Sequence, residues 1–327
     1  MRMDGQIAER YRDFAAYAHG DSACFEAWAL AVAEDTEIHA WLADLPIAKQ
    51  QPNLVFAAAR WHGAPAPGEY AGLREVLLGR ETAVKETIRQ RATQTNEVGR
   101  LASLTPAFGL LGGPLALVEV GASAGLCLYP DRYDYAWPGA GELVGSGGPV
   151  LSATATAGLP VPARHPAVAW RGGCDLNPLE VTDADQMAWL ATLVWPEQHE
   201  RRARLAEAVA VAAAEPPYLV RGDLFEQLPG LLAEAGRHGT PVVFHSAVIA
   251  YLEDADRERF HEVMTGLVAS RACHWVSNEA PAVLPGITAG HQVPVGRFVL
   301  GLDGRAVAFT HGHGRAIEWL ARPVGGR

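Results

Sequence analysis

The stretch Leu115–Leu126, LALVEVGASAGL, constrains this chain more than any other. Five of its first six residues are apolar, the signature of a short buried parallel strand. Glu119 interrupts the end of that run, and Gly121 and Gly125 then bracket Ala122, Ser123 and Ala124. Strand, acid and tight small-residue turn is how doubly wound α/β proteins bring backbone close to a nucleotide-like ligand. The glycines permit φ > 0 and close approach of the main chain. A tight strand-to-helix turn with no ligand has the same letters, so the motif alone leaves both open.

The flanks support an α/β chain. Residues 1–105 read as helices: one from a cap at Asp21 or Ser22 to about Leu42, one from Pro52 to Trp61, one over Glu81–Gln94 and one over Glu97–Leu104. From Pro114 strand and helix signals alternate. Strands are expected at Leu115–Val120, Val168–Asp175, Tyr218–Arg221, Pro241–His245, Cys273–Asn278, Val295–Leu302 and Arg305–Thr310. Helices fit between them at Ala184–Val194, Glu197–Ala214, Leu224–Arg237 and Ala255–Ser270. Strands separated by helices pair in parallel with right-handed crossovers. Asp303-Gly304 between the last two strands marks a hairpin. The expected division is a helical region over 1–105 and a seven-stranded Rossmann-like α/β domain over 106–327. An insert at about 129–167, rich in Gly, Ser and Pro, reads as a hairpin or lid.

Composition excludes several function classes. Of the 327 residues, 49% are hydrophobic and 20% charged, too apolar for a disordered chain. The formal net charge is −10, Lys49 and Lys85 are the only lysines, and no basic stripe is visible. Duplex nucleic acid and anionic membranes therefore find no electrostatic footing, and a small molecule is the expected partner. No apolar run reaches the roughly 18 residues of a membrane span. The N-terminus lacks the apolar core of a signal peptide, so a cytoplasmic setting is expected. Cys24, Cys127, Cys174 and Cys273 form no CxxC pair and read as buried free thiols.

Chemistry-bearing residues cluster at expected strand ends. Asp175 and Asn177 follow the second strand, where a carboxylate suits a vicinal diol because it accepts two hydrogen bonds. Either can equally cap a turn ahead of Pro178. Asp175 lies 54 residues past Gly121 (175 − 121), where about 20 is usual, so the insert must absorb the difference. Asp223 ends the third strand and can reach an adenine amino group or cap the next helix. His245 and Ser246 leave the fourth strand, Tyr251 follows, and Glu279 ends the fifth. His245 is the candidate general base. In Gln94–Arg100, Asn96, Glu97 and Arg100 offer polar groups for a substrate, with Asn96 and Arg100 four apart on one helical face.

Two other chemistries fit some of these letters. Ser123 lies in a turn with the order Ser, acid, His of a nucleophile elbow, with Asp223 or Glu279 and then His311. His311-Gly312-His313 places two imidazoles close enough for a divalent ion, without a spaced third ligand.

TQTNEVGR, LVEVGASAGLCL, DRYDY, GCDLNPLEV, WLATLVWPEQHER, VRGD, VVFHSAVIAYL and WVSNEAP together resemble an uncharacterised bacterial domain-of-unknown-function family. More remotely, the order of elements resembles class I S-adenosylmethionine-dependent methyltransferases, with their terminal antiparallel hairpin. That resemblance implies S-adenosylmethionine as cofactor. It puts Glu119, Gly121, Ala122, Ser123 and Gly125 at the methionine moiety, Asp175 and Asn177 at the ribose, and Asp223 at the adenine. His245 and Ser246 then sit between cofactor and acceptor, with Ser246 counted among the cofactor-binding residues. Read from their strand-end positions, Tyr251 and Glu279 join His245 as the candidate catalytic residues. Ser123 replaces the middle glycine of the usual turn. The expected function is methyl transfer to a small or medium-sized acceptor. The alternatives are a serine- or metal-dependent hydrolase, or a non-catalytic ligand-binding relative.

Overall fold

The computed structural model describes residues 3–94 and 96–320. The chain forms two compact units, one of residues 1–95 with 183–206, the other of residues 96–182 with 207–327. The helix Ala184–Leu193, placed between sheet strands by its sequence position, thus belongs to the helical unit.

The first unit is built from Met3–Ala18, Ala23–Glu34, Thr36–Ala43, Pro52–Trp61, Tyr70–Gly79, Glu81–Gln90 and Ala184–Leu193. The segment expected as one helix to Leu42 is two. Ser22 caps the first by accepting from the Phe25 N–H, and Asp35 interrupts at φ −91°, ψ 98° and caps the second through the Glu37 and Ile38 N–H groups. A short carboxylate that satisfies orphan N–H groups makes a break inside an apolar run inexpensive. The Glu81 helix stops at Gln90 rather than Gln94. The helices bury an aromatic centre in which Phe56 meets Phe25 at 5.1 Å and Trp28 at 5.4 Å, ring centre to ring centre.

In the second unit the strands are β1 (Leu115–Val120), β2 (Asp134–Trp137), β3 (Gly141–Leu143), β4 (Val150–Ser152), β5 (Thr154–Ala155) and β6 (Val168–Asp175). They continue as β7 (Tyr218–Arg221), β8 (Thr240–Ser246), β9 (His274–Glu279), β10 (Arg297–Leu302), β11 (Arg305–His311) and β12 (Ala316–Trp319). One nine-stranded sheet has the order β5-β12-β11-β10-β9-β8-β1-β6-β7, and β3-β2-β4 form a small second sheet. All seven expected strands are present; β12 and β5 extend the edge to nine. The insert supplies the small sheet and β5.

Strands β7, β6, β1, β8 and β9 are parallel, and β10, β11 and β12 return antiparallel. Numbered among themselves, the parallel strands run 3-2-1-4-5, so the order reverses at β1, where open α/β sheets bind ligands beyond the carboxyl ends. Leu228 and Leu231 of helix Leu224–Ala235 and Phe260 and Met264 of helix Asp254–Ala269 pack with Ala116, Val118, Val243 and Trp275. Helix Leu101–Phe108 is buried along its whole length: Phe108 meets Phe244 at 5.4 Å, and its Ala102 carbonyl accepts from Trp137 Nε1 at 2.8 Å. A helix buried on every side needs partners on every side.

Candidate functional site

β1 is buried along its length, and Glu119, one residue before its end, is about nine-tenths buried. Its Oε2 has no hydrogen-bond partner. Burial pushes its carboxyl well above the ordinary value of 4.5; the Arg100 charge pulls the other way and Asp175 adds to the rise. Arg100 is also buried. Its Nη1 donates to the Ser246 carbonyl at 2.7 Å and its Nε to the Gly312 carbonyl at 2.9 Å, and it forms no ion pair among the described residues. A buried guanidinium bonded only to carbonyls retains its full charge, which costs free energy unless a counter-charge is near.

Around this pair lies a buried hydrogen-bonded chain. Thr310 Oγ1 donates to Asn278 Oδ1 at 2.6 Å, and Asn278 Nδ2 donates to Ser246 Oγ at 2.9 Å. β11 runs parallel to β9, because each is antiparallel to β10. The His311–Gly314 loop therefore ends at the same rim as β1, β8 and β9, which its sequence position does not reveal.

Residues 93–100, flagged as TQTNEVGR, reach the rim differently from expectation; Thr95 lies outside the described residues. Asn96 and Arg100 do not share a helical face, because Val98–Arg100 is a 3₁₀ turn ahead of helix Leu101–Phe108. Glu97, not Asn96, caps that turn, its Oε1 accepting from the Gly99 N–H at 3.1 Å. Asn96 instead crosses to the glycine bend: its Nδ2 donates to Ser123 Oγ at 2.5 Å and its Oδ1 accepts from the Ala124 N–H at 3.2 Å.

The bend has the left-handed residues its glycines allow. Gly121 and Gly125 are both at φ +69°, and Ser123 is at +50° without being glycine. Its close approach is made to side chains. A Cβ on Gly121 would lie 2.5 Å from Val248 Cγ1, and one on Gly125 2.8 Å from Pro217 Cγ. Ala122 and Ser123 are buried. No long helix follows; Leu126–Leu128 is a single 3₁₀ turn.

Asp175 ties this bend to the end of β6. Its Oδ2 accepts from the Ser123 N–H at 2.8 Å and its Oδ1 from the Asn177 N–H at 2.7 Å. It remains partly open to solvent, and Asn177, whose Oδ1 accepts from Arg221 Nη1 at 3.1 Å, is exposed. Asp223 caps helix Leu224–Ala235 through the Phe225 N–H at 2.8 Å. The turn and cap roles left open for both aspartates are thus filled.

His245 is fully buried in this arrangement. Trp275 Nε1 can only donate, so His245 Nε2 accepts from it at 3.0 Å. Nδ1 then carries the proton and donates to Glu279 Oε1 at 2.7 Å. Neither nitrogen is left to take a proton from a substrate, so His245 here is a structural post. Glu279 Oε1 also accepts from the Val248 and Ile249 N–H groups, while its Oε2 has no partner. Tyr251 is 85% exposed.

The elbow constellation does not assemble: Asp223 caps a helix, Glu279 holds His245, and His311 Nδ1 accepts from the His313 N–H at 3.1 Å. Among the described residues no group of three or more His, Cys, Asp or Glu is placed to hold a metal ion. The four cysteines are buried and free, and burial pushes the Cys174 and Cys273 thiols up to about 12. No helix among the described residues is long and apolar enough to cross a membrane.

A family model described as an uncharacterized protein conserved in bacteria (DUF2332) matches residues 8–319, nearly the whole chain. The chain belongs to this family. No curated protein and no solved structure matches it. The family match spans both units, and so covers the aromatic centre of the first as well as the polar rim of the second.

Proposed function

We propose that the carboxyl rim of the sheet binds S-adenosylmethionine and that the chain transfers its methyl group to a small or medium-sized acceptor. One observation carries this reading. A buried carboxyl with an unpartnered oxygen, Glu119, feels a buried guanidinium with no ion pair, Arg100, where the strand order reverses. An α-amino acid group supplies the matching pair, an ammonium for Glu119 and a carboxylate for Arg100. S-adenosylmethionine ends in such a group.

The nucleoside end has support at β6. Asp175 accepts one hydrogen bond on each oxygen and retains lone pairs for a diol. Leu176 beside it is 74% exposed, an apolar surface that gains by covering a flat ring. When bound, the cofactor supplies the reactive methyl group. The chain's own residues bind, orient and exclude water, and positioning is their main contribution. Burial favours the neutral form of the Glu119 carboxyl, and an ammonium beside it favours release of that proton to the solvent.

Isothermal titration with S-adenosylmethionine and S-adenosylhomocysteine tests the proposal: saturable heat is expected, with proton release that varies with buffer. No heat at millimolar ligand in a folded sample overturns it. His245 has both ring nitrogens engaged and so cannot serve as the general base, which favours, as a second reading, a ligand-binding chain without catalysis. Tight binding of either ligand with no methyl transfer to any amine, thiol, hydroxyl or carboxyl acceptor would select it.

A further inference from the structure

We propose that the turn Ala247–Tyr251, which follows β8, is a lid over the glycine bend, that Glu279 is its latch, and that a ligand reaches the Gly121 backbone only when the lid moves. This rests on the bend being the cofactor site. Three independent observations support it.

The first is the occupant of the space above Gly121. The two methyl groups of Val248 lie 2.5 and 2.6 Å from where a Gly121 side chain would begin. A ligand lying against that α-carbon must displace them. Val248 is itself partly exposed, so it has somewhere to go.

The second is backbone strain at the hinge. Ala247 is at φ +57°, a left-handed conformation that an alanine rarely adopts, so its main chain relaxes when the turn opens. The hinge lies between fixed points. Arg100 holds the Ser246 carbonyl on one side, and the fully buried Ile249 is the pivot on the other. Beyond the pivot Tyr251 is held by no apolar packing, with its side chain in solvent.

The third is the way the turn is fastened. A single oxygen, Glu279 Oε1, accepts the Val248 N–H at 3.0 Å and the Ile249 N–H at 3.2 Å. The same atom accepts from His245 Nδ1, which Trp275 orients from the far side. Three donors, one from β8 and two from the turn, thus meet at one carboxylate of β9. Its other oxygen, buried and without a partner, offers no second hold. Toward its ends the turn is also tied by the Ala247 N–H, which donates to the Asn278 carbonyl at 3.1 Å, and by Arg257 Nη2, which donates to the Ala250 carbonyl at 2.7 Å. Its centre, Val248 and Ile249, is fastened through the one carboxylate, and that centre is the part that lifts from Gly121.

Hydrogen exchange on the ligand-free full chain tests the lid directly. The Val248 and Ile249 amides are expected to exchange at least tenfold faster than those of Val243 and Phe244 in β8. Glu279→Gln, which keeps the oxygen but removes its charge, is expected to speed the two turn amides several-fold further and leave β8 unchanged. Val248→Ala, which trims the lid and leaves the latch, is expected to bind S-adenosylhomocysteine five- to tenfold more tightly. Turn amides as protected as β8 overturn the lid. So do mobile turn amides with equal affinity in Val248→Ala and the parent. If neither protein binds S-adenosylhomocysteine while the turn amides exchange fast, the cofactor reading falls and the opening turn stands.

Discussion

The helical unit and the rim of the sheet bury different things. In the first, Phe56 is fully buried among Tyr11, Phe14, Phe25 and Trp28, and apolar area is the stabilising term. At the rim, Arg100, Glu119 and Glu279 are buried, and among the described residues two carboxyl oxygens have no hydrogen-bond partner and one guanidinium has no ion pair. Polar atoms left that way cost stability, and a fold keeps them when they serve something else. The helical unit also buries unpartnered atoms, Tyr11 Oη and Trp41 Nε1, but those are neutral groups, whereas the rim's are ionisable. Under the proposed function the rim's are kept for a ligand, and each half of the contrast can be broken by substitution.

The largest effect is expected in the aromatic centre. Phe56→Ala removes a ring with four aromatic neighbours and leaves a cavity, at a cost of roughly 3–5 kcal/mol. Denaturant titration followed by tryptophan fluorescence measures it. A loss under about 1 kcal/mol would mean that the unit is loosely packed, and the contrast would fail on that side.

Next is Arg100→Met, which keeps length and apolar bulk while deleting the charge. Charge-assisted hydrogen bonds are worth about 1.5–3 kcal/mol, so affinity for S-adenosylhomocysteine is expected to fall about 10- to 150-fold. Stability changes less, because losing two bonds to carbonyls is offset by removing a buried unpaired charge. A severe loss of stability with affinity intact would make Arg100 a structural post and remove the main support for the proposed ligand.

How much of this was legible in the sequence follows from the range of the interactions. β1, β6 and β7 have the bounds read from the sequence, because buried parallel strands are apolar runs punctuated by small residues and acids. β5 and β12 are too short to carry a period, and they are strands because β12 pairs with β11 and β5 pairs with β12. The acids were found but not their roles: a carboxylate that caps a helix and one that accepts from a ribose are the same short acceptor after a strand. Asp223 is settled only by its 2.8 Å bond from Phe225. The spacing of Asn96 and Arg100 misled because it presupposed a regular helix, which the Glu97 cap replaces with a 3₁₀ turn. The post made of Trp275, His245 and Glu279 joins β8 to β9, and no local pattern announces a contact between residues about 30 apart.

Glu119→Gln sharpens the rim side through pH. Burial raises the Glu119 carboxyl well above 4.5, so the folded chain holds this proton more tightly than the unfolded one. The stability that follows is fully present below about pH 4.5 and is lost as pH rises through the raised value. Glutamine does not titrate, so the variant is expected to gain on the parent as pH rises, by on the order of 1 kcal/mol at neutral pH. Urea midpoints from pH 4 to 8 measure the difference. Parallel profiles would mean that Glu119 is ionised and compensated, and that Arg100 is its partner rather than a ligand's.

The smallest effect is the most discriminating for the nucleoside end. Asp223→Asn keeps an oxygen at the cap of helix Leu224–Ala235, and asparagine caps about as well as aspartate, so stability is expected to move by no more than a few tenths of a kcal/mol. Asp223→Ala removes the cap and is expected to cost about 1 kcal/mol. A residue that only caps gives equal S-adenosylhomocysteine affinity in all three proteins once stability is accounted for. A residue that also accepts from an adenine amino group gives a several-fold loss in both variants, because the asparagine oxygen carries no charge and its amide donors face the adenine's own. Equal affinities would confine the rim's chemistry to Glu119, Arg100 and Asp175. A loss in both variants would extend it to β7, beyond what the cap geometry alone requires.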